Sequence, residues 1–418
     1  MGAGVVHYGV TPAEHFVFFA AAVAVTAARP QPPQPPQPPK GWAGFVRAFD
    51  AYASHDSVVG ASVLVMRDGR VLAHHELGFA DRERQQRVDD ATIYHWASIT
   101  KTLTAVAVMQ LRDRRLLTLD DRVTRYVPEL RQIHDPFGSM DDITIRMLLS
   151  HSAGFQNPTW PYKAGKPWEP FEPTRWEQLV AMMPYQEVLF APGSRYGYSN
   201  PAFIYLARIL EHLTGDPYEA YVTKNLWNPL GVTRSYFGVT PYHLTAARSN
   251  NYTVTKDSAG RETVQANGRD FDPGITIPNG GWNAPLEDVA RWVAFLAGAP
   301  SGDTATRRRY EGVLARASLE EMWQSLYPAD SEAPGDSVGL SFFMVTRGAT
   351  RFVGHTGHQA GFRSFFYINP VTRAAVIANL NTTNEAREEE STRGFNAIRD
   401  AALELIVSAG TAGKRSSP

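Results

Sequence analysis

The chain has 418 residues, of which 43% are hydrophobic and 20% are charged, as in ordinary globular proteins. Lys and Arg total 41 and Asp and Glu total 42, so the net charge is -1. This balance provides no basic field for nucleic acid and no acidic tail, and we expect no nucleic-acid partner. The absence of cysteine excludes disulfides, a thiol nucleophile and a cysteine-linked lipid, but it does not select a compartment.

The amino-terminal stretch contains an apolar run at residues 16–28 (FVFFAAAVAVTAA), which is too short to span a bilayer comfortably. The run ends in small residues, and Val25-Thr26-Ala27 fits a signal-peptide cleavage site. The stretch before it has no Lys or Arg and contains Glu14, so an uncleaved membrane-proximal anchor or an ordinary helix is the alternative. We predict a signal peptide or apolar segment over residues 1–28, with export to the periplasm or exterior, a cytoplasmic location as the alternative, and no stable membrane span.

A proline tract (PQPPQPPQPPK) follows at residues 30–40 and favours an extended polyproline II spacer, with an SH3-type ligand as the alternative. We therefore predict a linker over residues 29–40, a folded domain over 41–410 and a disordered tail over 411–418.

The folded domain opens with a helical pattern at residues 45–53. Two strands are predicted at 61–66 and 71–79, and Asp68-Gly69 between them is typical of a tight hairpin turn.

An S-x-x-K pattern, Ser98 and Lys101, comes next in a segment that reads as a helix. Helical spacing places the two side chains on one face, one turn apart. The free N–H groups at a helix start favour an anion, and a lysine of lowered pKa can activate a serine hydroxyl. The pattern is common by chance, so it requires support elsewhere in the chain.

The middle of the chain is predicted to be mainly helical, with patterns at 143–149, 200–213, 218–226 and 285–296. A loop rich in proline and aromatic residues, 157–176, is either a packed cover or a binding wall.

A second motif, Tyr198-Ser199-Asn200, lies in a glycine-rich loop directly before a predicted helix. A tyrosine hydroxyl near a lysine ammonium can act as general base and acid, and an asparagine amide can hold a substrate carbonyl. The alternative is a buried tyrosine beside an asparagine helix cap.

A third motif, His355-Thr356-Gly357, follows a short strand-like stretch at 351–353. Gly357 would let a substrate approach the backbone closely, and the next N–H, of His358, could share an oxyanion with the N–H of Ser98. The alternative is a hairpin with a histidine beside it. Strands are also predicted at 338–345, 362–368 and 374–380, with a closing helix at 385–408.

Strands at both chain ends and helices between them predict the α/β class: one antiparallel sheet flanked by helices and made from both ends, plus an inserted mainly helical lobe. Residues 41–97 and 291–410 would form the α/β lobe and 98–290 the helical lobe. The cleft between the lobes is the expected ligand site.

The order S-x-x-K, Y-x-N, then a polar residue before T-G resembles the serine β-lactamase and D,D-peptidase superfamily. The Y-S-N form resembles its class C branch, with the related esterases and D-aminopeptidases. Three further stretches are similar to family sequences: 148–155 (LLSHSAGF), 228–232 (NPLGV) and 279–282 (NGGW). The resemblance extends from about residue 45 to about residue 406.

The resemblance implies a β-lactamase/transpeptidase-like fold and an acyl-enzyme mechanism. Ser98 would attack a carbonyl, while Lys101 and Tyr198 would share the proton transfers, with the identity of the base left open. The resemblance assigns substrate or oxyanion contacts to six further residues: Asn200, His355, Thr356, Gly357, His358 and, as the amide-bearing contact, Gln156. No metal and no cofactor are implied.

His355 departs from the pattern, because penicillin-hydrolysing members typically carry lysine there to bind a substrate carboxylate. A histidine of unperturbed pKa near 6.5 is only partly cationic at neutral pH. Histidine at this position resembles D-aminopeptidase-like and broad serine hydrolase members, so we do not expect efficient β-lactamase activity.

Three other patterns are interpreted as structural. Ser337 lies in a G-x-S-x-G match but lacks the strand before it and the helix after it that a nucleophile elbow needs. His74-His75-Glu76 has no evident ligand partner and fits alternating strand positions. His355 and His358 share a predicted turn, and no third metal ligand accompanies them.

Two classes of function remain after these exclusions. The first is a serine hydrolase acting on small esters, amides or peptides; the second is a β-lactam- or peptidoglycan-recognising protein, or a weak β-lactamase, with poor turnover. The intact motif set favours the first. The sequence leaves the substrate and the oligomeric state open.

Overall fold

The computed structural model describes residues 37–158, 173–270, 272–329 and 336–411, together with Gly2. The chain divides after Pro35, and all elements below belong to the unit Pro36–Pro418. The predicted signal peptide, most of the linker, loop residues 159–172 and tail residues 412–418 lie outside the described residues. Within the described ranges, each helix is too short or too polar to cross a bilayer.

The described α-helices are α1 (Trp42–His55), α2 (Thr100–Asp113), α3 (Ile145–Leu149), α4 (Trp176–Met182), α5 (Pro201–Thr214), α6 (Tyr218–Val222), α7 (Asn228–Leu230), α8 (Ile277–Gly280), α9 (Leu286–Ala297), α10 (Thr304–Val313), α11 (Arg316–Met322) and α12 (Glu388–Thr411).

The described strands are β1 (Gly60–Arg67), β2 (Arg70–Asp81), β3 (Gln86–Arg87), β4 (Ile93–His95), β5 (Tyr236–Phe237), β6 (Asn251–Lys256), β7 (Glu262–Gly268), β8 (Trp282–Pro285), β9 (Tyr327–Pro328), β10 (Ser337–Val338), β11 (Phe343–Arg347), β12 (Thr350–Gln359), β13 (Phe362–Asn369), β14 (Ala374–Leu380) and β15 (Thr382–Asn384).

Nine of these strands form one antiparallel sheet in the order β3-β2-β1-β14-β13-β12-β11-β10-β9. The two ends of the chain meet where β1 pairs with β14, with Val63 opposite Ala378. The predicted fold class is therefore confirmed: the sheet is antiparallel and draws its strands from both ends.

Strand β1 is buried on both faces. Alternate side chains of a strand point in opposite directions, so β1 contributes to two cores. Val63 and Val65 join the core beneath α1 and α12, whereas Leu64 and Met66 join the larger core that contains α9. The predicted Asp68-Gly69 turn is also confirmed: both residues have positive φ, 52° and 75°, as a type I′ hairpin turn requires.

Two strand predictions were wrong. The single strand expected at 338–345 is two antiparallel strands, β10 and β11, which reverse direction through Ser341 at a φ of 70°. The short strand expected at 351–353 extends to Gln359, so the whole His-Thr-Gly motif lies inside β12.

Helix α2 is the centre of the helical lobe, and its residues from Thr100 to Leu111 are all buried. A helix surrounded by protein needs no polar face, which explains why its sequence has only a weak apolar stripe. Helices α5 and α8 pack against it. A short sheet, β4-β8-β5, ties the chain before α2 to the segment around Trp282.

Candidate active site

Ser98 lies in a single 3-10 turn, Ala97–Ile99, which leads directly into α2. Ala97 adopts a φ of 49°, a conformation uncommon for residues other than glycine, so the backbone is strained beside Ser98. The Trp96 N–H donates to the carbonyl of Trp282 at 2.8 Å and holds the turn against β8. The structure thus fixes the predicted nucleophile at the start of a buried helix.

Lys101 Nζ contacts three uncharged oxygen atoms: Ser98 Oγ at 3.1 Å, Asn200 Oδ1 at 2.8 Å and the carbonyl oxygen of Asn279 at 2.7 Å. The side chain is fully buried, and burial lowers the pKa of its ammonium well below 10.5.

The three contacts of Lys101 suit both protonation states. An ammonium has three N–H donors, one for each oxygen. A neutral amine has two N–H donors for Asn200 and Asn279, and its lone pair then accepts from the hydroxyl of Ser98. A proton can therefore pass between Ser98 Oγ and Lys101 Nζ without any other bond being rearranged.

Tyr198 lies beside this pair, with Lys101 Nζ 4.9 Å from the centroid of its ring. The ring of His151 stacks on Tyr198 at a centroid separation of 4.4 Å. The structure therefore brings together Ser98, Lys101, Tyr198 and Asn200, which the sequence nominated from two separate motifs.

Two asparagines that were not predicted as site residues from the sequence complete the polar shell around Lys101 and Asn200. Asn157 Oδ1 accepts from Asn200 Nδ2 at 3.0 Å, and Asn279 Nδ2 donates to Asn200 Oδ1 at 3.3 Å. These bonds fix which end of the Asn200 amide faces Lys101. Asn157 directly follows Gln156, the residue proposed as the amide contact, and Asn279 is the first residue of the NGGW stretch. Both asparagines therefore lie next to or within segments that the sequence analysis had already identified.

Strand β12 packs against the turn that carries Ser98. Its pairing with β11 ends at Gly354, so the edge of residues 355–359 on that side is not paired with β11. A Cβ on Gly357 would collide with the carbonyl oxygen of Trp96 and the hydroxyl of Ser364, and would lie 3.3 Å from the Cβ of Ala97. Glycine is thus needed here so that β12 can approach the turn that carries Ser98.

His355 is buried and neutral. Its Nδ1 donates to the carbonyl of Thr356, and its ring meets Phe343 edge to face at 5.1 Å between centroids. Burial and the nearby Lys101 lower its pKa to about 3. The partial positive charge expected from an unperturbed histidine is therefore wrong for the folded protein, and His355 offers a substrate carboxylate no cation.

The interpretation that placed His355 and His358 on one turn was also wrong. Both lie on β12, three residues apart, so their side chains point to opposite faces of the strand. His355 is buried and His358 is exposed. The two rings do not converge on a common metal position.

The expectation that His74 and Glu76 lack a third ligand partner was wrong as well. Asp90 joins them, and the ligand atoms of the three lie within 4.8 Å of one another. They line a cavity of about 320 Å³ between β2 and α9, to which Ser98 and its neighbours do not contribute. His74 Nδ1 already lies 3.3 Å from Asp90 Oδ1, and both side chains are largely exposed.

His95 connects the nucleophile's segment to the end of β12. Its Nδ1 lies 3.0 Å from Asn283 Oδ1 and its Nε2 lies 3.1 Å from Gln359 Oε1. Burial lowers the pKa of His95 to about 4, so the ring is neutral at pH 7. A neutral imidazole has one N–H donor, so the ring donates to one of these two amide oxygens.

Comparison with protein families matches residues 45–400 to the family described as Beta-lactamase. The chain belongs to this family. The family match extends over both the sheet and the helical lobe of the fold.

Curated relatives match the chain in sequence, and solved structures share its fold. Protein flp of Staphylococcus aureus is 23% identical over 346 residues, covering 80% of this chain but only 63% of that protein. Esterase EstB of Burkholderia gladioli is 29% identical over 378 residues, covering 84% of this chain and 93% of EstB. The D-amino acid amidase of Ochrobactrum anthropi SV3 superimposes with a TM-score of 0.70 at 20% identity, covering 88% and 99% of the two chains.

Proposed function

We propose that this enzyme hydrolyses small uncharged esters or amides through an acyl-enzyme on Ser98. The observation that carries the proposal is the position of a buried lysine 3.1 Å from the serine hydroxyl, in a shell of oxygens that suits both of its protonation states. A serine is a weak nucleophile until such a base takes its proton.

The proposed acylation uses these groups in turn. Ser98 Oγ bonds to the substrate carbonyl carbon while its proton moves to Lys101 Nζ, and the carbonyl oxygen becomes an oxyanion. The N–H groups of Ser98 and His358 stabilise that oxyanion. The bond to the leaving alcohol or amine then breaks, and the leaving group takes the proton from Lys101 through the hydroxyl of Tyr198.

Deacylation uses the same groups with water in place of the leaving group. Water attacks the acyl carbon and gives one proton to the Tyr198–Lys101 pair. The ester bond to Ser98 breaks, Oγ recovers that proton, and the carboxylic acid departs. Asn200 is the proposed contact for the substrate's carbonyl or amide, and its own orientation is held by Asn157 and Asn279.

The neutral state of His355 supports the choice of uncharged substrates. The resemblance places a carboxylate-binding lysine at this position in penicillin-hydrolysing members, whereas His355 has a pKa near 3 and donates its Nδ1 proton to a carbonyl of its own chain. The described activities of EstB and the amidase, an esterase and a D-amino acid amidase, are consistent with ester or amide hydrolysis.

The nucleophile is tested with Ser98→Ala and a serine control. We expect Ser98→Ala to lose at least about 1,000-fold in p-nitrophenyl butyrate turnover and to lose fluorophosphonate labelling. Ser337→Ala, which removes the serine of the G-x-S-x-G match, should keep both, because Ser337 lies in the short strand β10 and the next element is the strand β11. If Ser98→Ala hydrolyses the ester as fast as wild type, the mechanism is wrong.

The substrate class is tested by comparing a short-chain ester, a D-alanyl amide and a chromogenic cephalosporin on the wild-type enzyme. We expect kcat/KM to be highest for an uncharged acyl substrate and lowest for the cephalosporin. Persistent fluorescent-penicillin labelling without ester turnover would instead support a penicillin-recognising protein with poor turnover.

We also propose that the enzyme is exported, on the basis of the apolar run at residues 16–28. Amino-terminal sequencing of protein recovered outside the cytoplasm of an expressing bacterium tests this, and a mature chain beginning shortly after Ala27 is expected.

A further inference from the structure

His151 lies in a neighbouring loop and binds the backbone on both sides of Tyr198. The residue follows α3 in the left-handed conformation, with a φ of 54°. Its carbonyl accepts from the Gly197 N–H at 2.8 Å, and its Nδ1 accepts from the Ser199 N–H at 3.1 Å. One histidine therefore holds the backbone on both sides of Tyr198.

The imidazole of His151 also sets the plane of the Tyr198 ring. The two rings are nearly parallel, at 23°, with centroids 4.4 Å apart, and Phe203 packs against the same imidazole at 5.0 Å. His151 is 1% exposed, so its ring has little freedom to move. The tyrosine that lies over Lys101 Nζ is thus held through its main chain and its ring together.

The hydrogen bonds of His151 exclude it as a base for Ser98. Because Nδ1 accepts from the Ser199 N–H, the neutral ring carries its proton on Nε2. An imidazolium would lose this bond and would add a second cation near Lys101. The Nε2 atom is buried and has no hydrogen-bond partner in the described part of the chain. Neither nitrogen is therefore able to take a proton from the nucleophile.

We propose that His151 is a positioning residue, which holds the phenol of Tyr198 at the distance and angle needed for proton transfer to and from the leaving group. The proposal rests on the proposed function, in which Tyr198 carries that proton. It predicts that His151 affects the chemical step only while the Tyr198 hydroxyl is present. Misplacement of a catalytic group by about 1 Å costs about 100-fold in rate.

The test is a double-mutant cycle read in kcat and KM for p-nitrophenyl butyrate. His151→Ala removes both the ring and the acceptor, whereas His151→Asn places an amide oxygen near the former Nδ1 and suits the left-handed backbone. With Tyr198 present, we expect His151→Ala to lower kcat about 10- to 100-fold with KM nearly unchanged, and His151→Asn to recover part of the loss. In Tyr198→Phe, both changes should alter kcat by less than about twofold.

Two controls separate positioning from general stability. His243→Asn changes an exposed histidine and should leave kcat unchanged. Phe49→Leu weakens the core beneath α1, away from Tyr198, and should lower the unfolding temperature equally in both Tyr198 backgrounds without any coupling in kcat.

The outcomes are distinguishable. A coupled loss, with rescue by His151→Asn, supports the positioning role. Equal losses of kcat in the wild-type and Tyr198→Phe backgrounds overturn that role alone, as does full kcat in His151→Ala. An enzyme whose turnover survives Ser98→Ala overturns the proposed function, and the positioning role with it.

Discussion

At the scale of single residues, the surroundings of Lys101 support its proposed role as the base. Its ammonium is fully buried, and its three hydrogen-bond partners are a hydroxyl, an amide oxygen and a main-chain carbonyl oxygen. None of these oxygens carries a charge that would hold the proton on Nζ. The neutral amine form of Lys101 is consequently populated at a pH where an exposed lysine would be fully protonated.

The pH dependence of kcat/KM should therefore report Lys101 and none of the buried histidines. Because the base must be unprotonated, we expect kcat/KM to fall with a slope of one proton as the pH falls through the lowered pKa of Lys101. Neither His355 nor His151 should contribute a limb near pH 6.5, since His355 has a pKa near 3 and that of His151 also lies well below 6.5. Ester hydrolysis from about pH 5 to about pH 9 measures this.

His355→Gln is the control for that profile, because it removes one titrating ring near Lys101. The acid limb should survive in this variant as a single-proton step. A limb that disappears with His355 would assign the titration to the histidine and would contradict the proposed role of Lys101.

The sequence predicted those site residues that belong to local motifs. Ser98 and Lys101 are three residues apart, and Tyr198 and Asn200 are two apart, so each pair has a visible spacing. The oxygen supplied by Asn279 is a main-chain carbonyl, which every residue possesses and which leaves no trace in the sequence. Its position depends on the packing of α8 against α2, a long-range contact that local patterns do not encode.

At the scale of elements, the site depends on the close approach of β12 to the turn that carries Ser98. The two are far apart in the chain, and only glycine at position 357 leaves room for the contact. The Ser364 hydroxyl donates to the carbonyl of Trp96 at 3.3 Å from the neighbouring strand β13. Both β12 and β13 therefore contribute to the placement of Ser98.

Gly357→Ala should separate these elements. A methyl group there would collide with the Trp96 carbonyl and the Ser364 hydroxyl, so β12 has to move away from Ser98. We expect kcat for p-nitrophenyl butyrate to fall at least about 100-fold, because the two N–H groups of the oxyanion site would no longer be spaced for one oxygen.

Gly312→Ala is the matched glycine control for this change. Gly312 lies in α10, is exposed, and has no atom within 4 Å of an added Cβ. Alanine should stabilise the protein there by about 0.5–1 kcal/mol and leave kcat unaltered. If Gly357→Ala retained full activity, β12 would not position the oxyanion site.

The elements that were predicted wrongly from the sequence are those where strand pairing overrides the local conformational preference of the residues. Residues 338–345 read as one apolar strand, but Ser341 takes a positive φ that its type does not signal. Residues 354–359 have weak strand preference, with two glycines and two histidines among them, and pairing with β13 extends β12 through them. The hairpin β6–β7 is mostly polar on its second strand and was not predicted.

At the scale of the whole molecule, the site is embedded between the sheet and the helical lobe. His95, His151 and His355 are each about 1% exposed. Burial lowers the pKa of all three rings: to about 4 for His95, to about 3 for His355, and well below 6.5 for His151. Folding therefore requires these three imidazoles to remain neutral.

This requirement should make the enzyme sensitive to mild acid. In the unfolded chain the histidines bind protons as the pH falls below about 6.5, whereas in the folded chain they do not, so the free energy of unfolding decreases as the pH falls. The stabilisation is complete above about pH 6.5 and is lost progressively toward the folded pKa values, by at most about 1.4 kcal/mol per pH unit for each ring. Urea unfolding at about pH 7.5, 6 and 5 measures the slope.

His355→Gln tests whether the buried rings cause that slope. Glutamine does not titrate, so the variant should lose the share of one histidine, up to about 1.4 kcal/mol per pH unit, whatever its stability at neutral pH. His243→Gln removes an exposed ring and should leave the slope as in wild type. If the two variants show the same slope, His355 is protonated equally in the folded and unfolded chains. A charged His355 would then be available to a substrate carboxylate, and the preference for uncharged substrates would lose its physical basis.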